Sequence, residues 1–171
     1  MVHRVMPNVR RRAPALPLRE GNAWVLPVPP MRQTMAKSCG LAACSMIIGY
    51  RTGTMPGDRE LAGRHRIDCS DGMSADEIKR VLTAEIGAQF SAVHRATRQT
   101  LLAALQAGDP VLAGVAVKGG AHAIVVSGIV VLEGGGTRLV INDPNFGGVA
   151  LFCAADAVDA ALQMAMVVRC A

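Results

Sequence analysis

The spacing of apolar residues changes midway along the chain and divides it into a helical first half and a strand-rich second half. The run SCGLAACSMIIGY, which starts at Ser38, is apolar on every side and rich in small residues, so it predicts a closely packed, buried helix. Ser38 is its candidate cap, Cys39 opens its first turn, and Gly49 or Gly53 is its candidate stop. A second helix is announced by Ser74, with Asp76 and Glu77 in its first turn, Ile78, Val81, Leu82 and Ile86 as its apolar positions, and Gly87 as its end. A third is expected over 97–107, stopped by Gly108. From Pro110 the pattern changes to strand-like runs: PVLAGVAV, AHAIVVSGIVVL, TRLVIND and GVALF, with EGGG as the hairpin signal between the second and third. A last helix is expected over 154–163, with AMVVRC as a closing strand. Helices followed by a mostly antiparallel sheet make an α+β fold.

Residues 1–28 break this regularity, because Pro7, Pro14, Pro17 and Pro27 interrupt every helical period. They are expected to form a basic, Pro- and Arg-rich extended arm ahead of a single domain over 29–171, contributing little to catalysis. The composition of the 171 residues, 51 % apolar and 18 % charged, excludes disordered and fibrous classes. The formal charge of +5 sits in the first 38 residues, where seven basic residues face the single acid Glu20. The body that remains is near neutral, with no basic stripe and only 3 % aromatic residues, so nucleic acid is not an expected partner. AHAIVVSGIVVL is too short to span a bilayer and contains His122, and APALPL is too short for a secretory signal and runs into Arg19 and Glu20. The expected location is therefore the cytoplasm, or delivery by a specialised secretion system, without membrane insertion.

Five cysteines without a C-x-x-C pair and four histidines without metal-type spacing predict neither a metal nor any other cofactor. Scattered thiols of this kind suit a reducing compartment, and most are expected to pack as small hydrophobes. Cys39 differs from Cys44 by position. A thiol in the first turn of a helix faces the positive end of the helix dipole, which favours the nucleophilic thiolate, whereas Cys44 lies deep in the apolar run. Gln33, six residues before Cys39, carries a side-chain amide that can donate to an oxyanion beside the Cys39 N–H; by itself it is an ordinary loop residue. His122 stands at a strand start just after Gly119 and Gly120, where an imidazole can serve as base and then acid, although a core histidine has the same signature. Asp143 ends the next strand before Pro144 and can orient the ring, or can simply form an Asp-Pro turn.

Taken in order, Gln33, Cys39 at a helix start, His122 at a strand start and Asp143 at the next strand end, together with GMSADEIKRVL and GGAHAIVVSGI, resemble the papain-like cysteine peptidases. Within that clan the chain is similar to the compact bacterial branches, the bacteriocin leader-processing peptidases and the papain-like effector proteases of pathogens. The resemblance implies a papain-like fold with the nucleophile helix packed on the sheet. It makes Cys39 the nucleophile, His122 the base, Asp143 the orienting acceptor and Gln33 the oxyanion donor. Gly40 after the nucleophile looks closer to the leader peptidases, whereas Ser38 before it departs from their usual acidic residue. A free-standing domain with a basic arm looks more like an effector or toxin.

The leading expectation is a thiol protease acting on a peptide or isopeptide bond of a protein or peptide substrate. The alternatives are a glutamine deamidase or amide transferase that uses the same triad, and an inactive papain-like binding module.

Overall fold

In the computed structural model, which describes residues 18–20, 22–93, 97–133, 136–146, 150–154 and 162–170, the apolar run after Ser38 is helix α1, Cys39–Thr52. Every residue from Gly40 to Arg51 is buried, which explains why its sequence has no polar face. Gly53, not Gly49, ends it: Gly53 takes φ 78° and returns its N–H to the Gly49 carbonyl at 2.9 Å. Gly49 is a packing residue instead, since a Cβ there would lie 2.9 Å from the Met55 Cβ. The buried Arg51 anchors this end through Asp109 at 2.7 Å and the Val168 carbonyl at 3.1 Å.

Helix α2, Asp58–His65, lies where the sequence showed no pattern, because Leu61 is the one buried apolar side chain in DRELAGRH. Helix α3, Ala75–Ile86, begins with the expected Ser74 and Glu77 capping box and ends at Gly87. Helix α4, Arg98–Gln106, is capped by Thr97, whose hydroxyl accepts the Thr100 N–H.

All strand pairings among the described residues are antiparallel. The strands are β1 (Leu18–Glu20), β2 (Ala23–Val25), β3 (Ala88–Val93), β4 (Val111–Val117), β5 (Gly120–Val131), β6 (Thr137–Asn142), β7 (Ala150–Ala154) and β8 (Leu162–Cys170). The long β5 organises the sheet. One of its edges pairs with β4 along Gly120–Val126 and then with β2 along Gly128–Val130, while the other edge pairs with β6. Beyond β4 lie β8 and β3, beyond β6 lies β7, and beyond β2 lies β1. The register slips between Val126 and Gly128, a bulge in β5. Helix α1 packs across β5 and against α3, joining both halves of the chain in one core. This is the expected α+β arrangement.

Three expectations change. The helix expected over 154–163 has strand at both ends, Ala154 in β7 and Leu162 and Gln163 in β8; residues 155–161 lie outside the described residues. Pairing with β4 on one edge and β3 on the other lengthens β8 beyond AMVVRC, so tertiary contacts override local preference. The run GVALF continues as β7 to Ala154, with its first two residues outside the described ones. Residues 18–20 and 22–28, expected to belong to an extended arm, instead pair and pack with the domain: β1 and β2 extend the sheet, and Leu26 and Val28 are buried in the core. Residues 1–17 of that arm lie outside the described residues.

Truncation separates the two parts. Loss of Leu26 and Val28 removes burial worth about 1.5–3 kcal/mol for each side chain, against a total stability of only about 5–15 kcal/mol. Deleting residues 1–28 is therefore expected to lower the melting temperature sharply or abolish the cooperative transition, whereas a chain beginning at residue 18 keeps both strands and the burial of Leu26 and Val28 and is expected to retain that transition.

Candidate active site

Three of the four candidate residues meet through direct contacts. Cys39 is the first residue of α1, half-buried, with its thiol hydrogen-bonded to His122 and accepting the Ala123 N–H at 3.5 Å. Burial pushes this thiol up, but the bonds from His122 and the Ala123 N–H and the imidazolium charge outweigh it, leaving the pKa below the ordinary cysteine value. Cys44, fully buried in the same helix, is pushed far up by desolvation and is inert. The contrast expected from their positions is present in their surroundings.

His122 sits on β5 directly after the β4–β5 turn, where Gly119 takes φ 93°, a conformation that L side chains rarely adopt. Its Nε2 lies 2.6 Å from Asp143 Oδ1, which leaves Nδ1 for the thiol. The bond to Asp143, followed by the one to Cys39, raises the imidazole to about 9. Asp143 is itself pushed up by burial and pulled further down by His122 and the Asn145 N–H, so it stays ionised. A low thiol, a high imidazole and an ionised carboxylate in contact favour a thiolate–imidazolium pair at neutral pH.

Strand alternation separates Asp143 from its neighbour. Asn142, the last residue of β6, points the other way and is buried, donating to the Val28 carbonyl at 2.9 Å and accepting the Ser127 hydroxyl at 3.0 Å. Asn142 therefore serves the core and Asp143 serves the ring.

Gln33 lines the same cleft as Cys39 and His122, a concavity of about 510 Å³ whose wall includes Met73, Leu112 and Gly120. Its backbone N–H donates to the Pro144 carbonyl at 2.9 Å, tying the loop before α1 to the segment that carries Asp143. One proton of its side-chain amide goes to the Met35 carbonyl at 3.1 Å, and its Oε1 is buried with no partner among the described residues. The second amide proton remains for a ligand in the cleft.

Ser38 does not cap α1 as expected. Its side chain makes no cap bond to the helix and lies instead 2.7 Å from Asp58 Oδ2 and 2.9 Å from the Met35 carbonyl. Sequence reasoning also missed Asn145, whose amide is 3.2 Å from His122 Nε2, and the Ala123 N–H, a backbone group without a side-chain signature. Among the described residues, no group of three or more His, Cys, Asp or Glu converges as a metal site requires, and no helix is long and apolar enough to cross a membrane.

The sequence model of the family described as papain-like cysteine protease AvrRpt2 matches residues 24–154. Solved structures agree on the fold. The peptidase domain of Streptococcus ComA, a bi-functional ABC transporter involved in a quorum sensing pathway, superposes with a TM-score of 0.64 at 14% identity, covering 84% of this chain and 99% of that one. A putative C39-like peptidase from Bacillus anthracis gives a TM-score of 0.65 at 12% identity, over 85% of this chain and 96% of that one. UfSP from C. elegans gives 0.57 at 15% identity, over 84% of this chain and 34% of that one. No curated protein matches the chain by sequence.

Proposed function

We propose, since the chain belongs to the family of the papain-like cysteine protease AvrRpt2 and is thereby a cysteine peptidase, that Cys39, His122, Asp143 and Gln33 together hydrolyse a peptide or isopeptide bond. The Cys39 thiolate attacks the carbonyl carbon, and the oxygen becomes an oxyanion received by the Cys39 N–H and the free proton of Gln33 Nε2. The imidazolium of His122 protonates the leaving amine, the C–N bond breaks, and the acyl group remains on sulfur as a thioester. Water then gives a proton to His122 and attacks the thioester, releasing the carboxylic acid and restoring the thiolate. Asp143 holds the ring with Nε2 toward itself and Nδ1 toward sulfur throughout.

The observation that carries this reading is the continuous contact from the Asp143 carboxylate through His122 to a thiol of lowered pKa at the mouth of a cleft. The test is reaction with a peptide-like thiol-directed inhibitor, mass mapping of the modified cysteine, and mass analysis of a cleaved peptide. Modification at Cys39 and fragments that together contain one added water support it. Conversion of a glutamine amide to an acid without backbone cleavage replaces peptide hydrolysis with deamidation.

Gln33 supplies one of two donors, so its loss is partial. Gln33→Ala is expected to lower kcat by roughly 10²–10³ while Cys39 keeps its rate of alkylation, which uses no oxyanion. Loss of both together would make Gln33 a structural residue.

A further inference from the structure

The two groups assigned to the oxyanion lie at opposite ends of one short loop, Gln33 at its start and the Cys39 N–H just after Ser38. This loop has little regular structure of its own, and Lys37 within it takes φ 58°, an uncommon conformation for a non-glycine residue. Bonds within the loop tie the Gln33 amide and the Ser38 hydroxyl to the Met35 carbonyl at 3.1 and 2.9 Å, and a group outside the loop adds a second tie near each end.

Asp58, the first residue of α2, is 1% exposed and accepts from both ends. Its Oδ2 receives the Thr34 N–H at 2.7 Å and lies 2.7 Å from the Ser38 hydroxyl, and its Oδ1 receives the Thr34 hydroxyl at 2.5 Å and the Arg59 N–H at 2.9 Å. Among the described residues no cation pairs with this carboxylate, and Arg59 directs its Nε to the Thr34 hydroxyl at 3.4 Å. A buried charge without a counterion is tolerated where several donors converge on it. Thr34 is bonded to Gln33 and Ser38 is bonded to Cys39, so each loop contact is one residue from an oxyanion donor.

We propose that Asp58 is a positioning residue that sets the spacing and direction of the Gln33 amide and the Cys39 N–H. The proposal rests on the oxyanion reading of Gln33 given above. A carboxylate can accept all four bonds; an asparagine has one acceptor oxygen and turns an NH₂ group toward donors. Asp58→Asn therefore keeps the shape of the residue and removes what fixes the loop.

The experiment measures kcat, KM, Cys39 alkylation and melting temperature in the full chain for Asp58→Asn, Gln33→Ala, their double variant, and Asp109→Asn as a stability control. Asp109→Asn breaks the ion pair to Arg51 at the far end of α1, so it should lower melting temperature with kcat unchanged below the transition. Asp58→Asn is expected to lower kcat by about 10- to 100-fold with KM and alkylation changed less than about threefold, because the donors act on the developing charge. In the Gln33→Ala background the same substitution should cost less than it does in the parent, since only the misplaced Cys39 N–H is left to weaken the oxyanion site. Should Asp58→Asn fail to fold, Ser38→Ala removes the hydroxyl that meets Asp58, together with its bonds to the Met35 backbone, and is expected to lower kcat about threefold or more in the parent and less in the Gln33→Ala background.

A kcat within about twofold of the parent despite a lowered melting temperature overturns the proposal, as do fully multiplicative losses in the double variant. A Gln33→Ala variant of undiminished kcat overturns the oxyanion reading itself, and this proposal with it. An impaired Gln33→Ala beside an unimpaired Asp58→Asn removes only the role of Asp58.

Discussion

Cys39→Ala is expected to lower turnover by about 10⁶, the largest effect of any single substitution in the chain, because in the proposed mechanism it deletes the atom that forms the covalent intermediate. What remains on that reading is binding and a pair of proposed oxyanion donors with no nucleophile to serve. The residue is half-buried at the end of a helix held elsewhere by Arg51 and a continuous apolar surface, so the variant should melt cooperatively near the parent temperature. Cys44→Ala is the necessary contrast. It trims a fully buried side chain and should lose stability without losing kcat below its transition. Measuring kcat and thermal unfolding for both variants decides the assignment. An active Cys39→Ala beside a folded but inactive Cys44→Ala would move the nucleophile five residues into the helix and is incompatible with the geometry.

The legible part of the site is the part built from unusual residue types at the ends of regular elements. Cys39 opens a long, mostly apolar helical run, His122 follows two glycines and an alanine into an apolar strand, and Asp143 precedes a proline just past a strand end. Each position is marked by chemistry and by punctuation at once. Asp58 follows Pro56 and Gly57 and Asn145 follows Pro144, so both have the punctuation, but neither begins or ends an element with a visible hydrophobic period. Asp58 opens a helix with one buried apolar side chain, so α2 has no visible period, and its importance comes from donors on a distant loop. The Ala123 N–H has no sequence signature at all.

The same distinction explains the fold. Helix α1 advertises itself by an unbroken apolar run and the glycine that ends it, α3 by its periodicity and capping box, and the β5–β6 hairpin by its glycines. Strand β3, AQFSAV, offers mainly small and polar residues and is fixed by six pairings to β8. Strands β1 and β2 are three residues each in a proline-rich segment, and their place is set by the free stretch of β5 edge beyond β4, which nothing local encodes.

The role of Asp143 separates from that of its neighbour by both magnitude and pH. Asp143→Ala is expected to lower turnover by up to about 10⁴, since the imidazole loses the acceptor that fixes its tautomer and its direction toward sulfur. In the parent, the reactive ion pair exists above the lowered Cys39 pKa and below that of His122, about 9. The kcat/KM profile should therefore rise as the thiol ionises and fall as His122 loses its proton near 9. The bond to Asp143 is the largest cause of that raised value, so its removal moves the alkaline limb toward neutral pH. Stability follows with the same sign. Protonated His122 contributes fully below its ordinary value of 6.5, and the contribution is lost as pH rises through about 9; Asp143→Ala should flatten this decline. Asn142→Ala behaves otherwise: it strands the Val28 carbonyl in the core and takes from the Ser127 hydroxyl the nearer of its two acceptors, lowering stability by about 1–3 kcal/mol while kcat changes less than about tenfold. An alkaline limb that stays near 9 in Asp143→Ala, or moves in Asn142→Ala, would show that the carboxylate does not govern the ring.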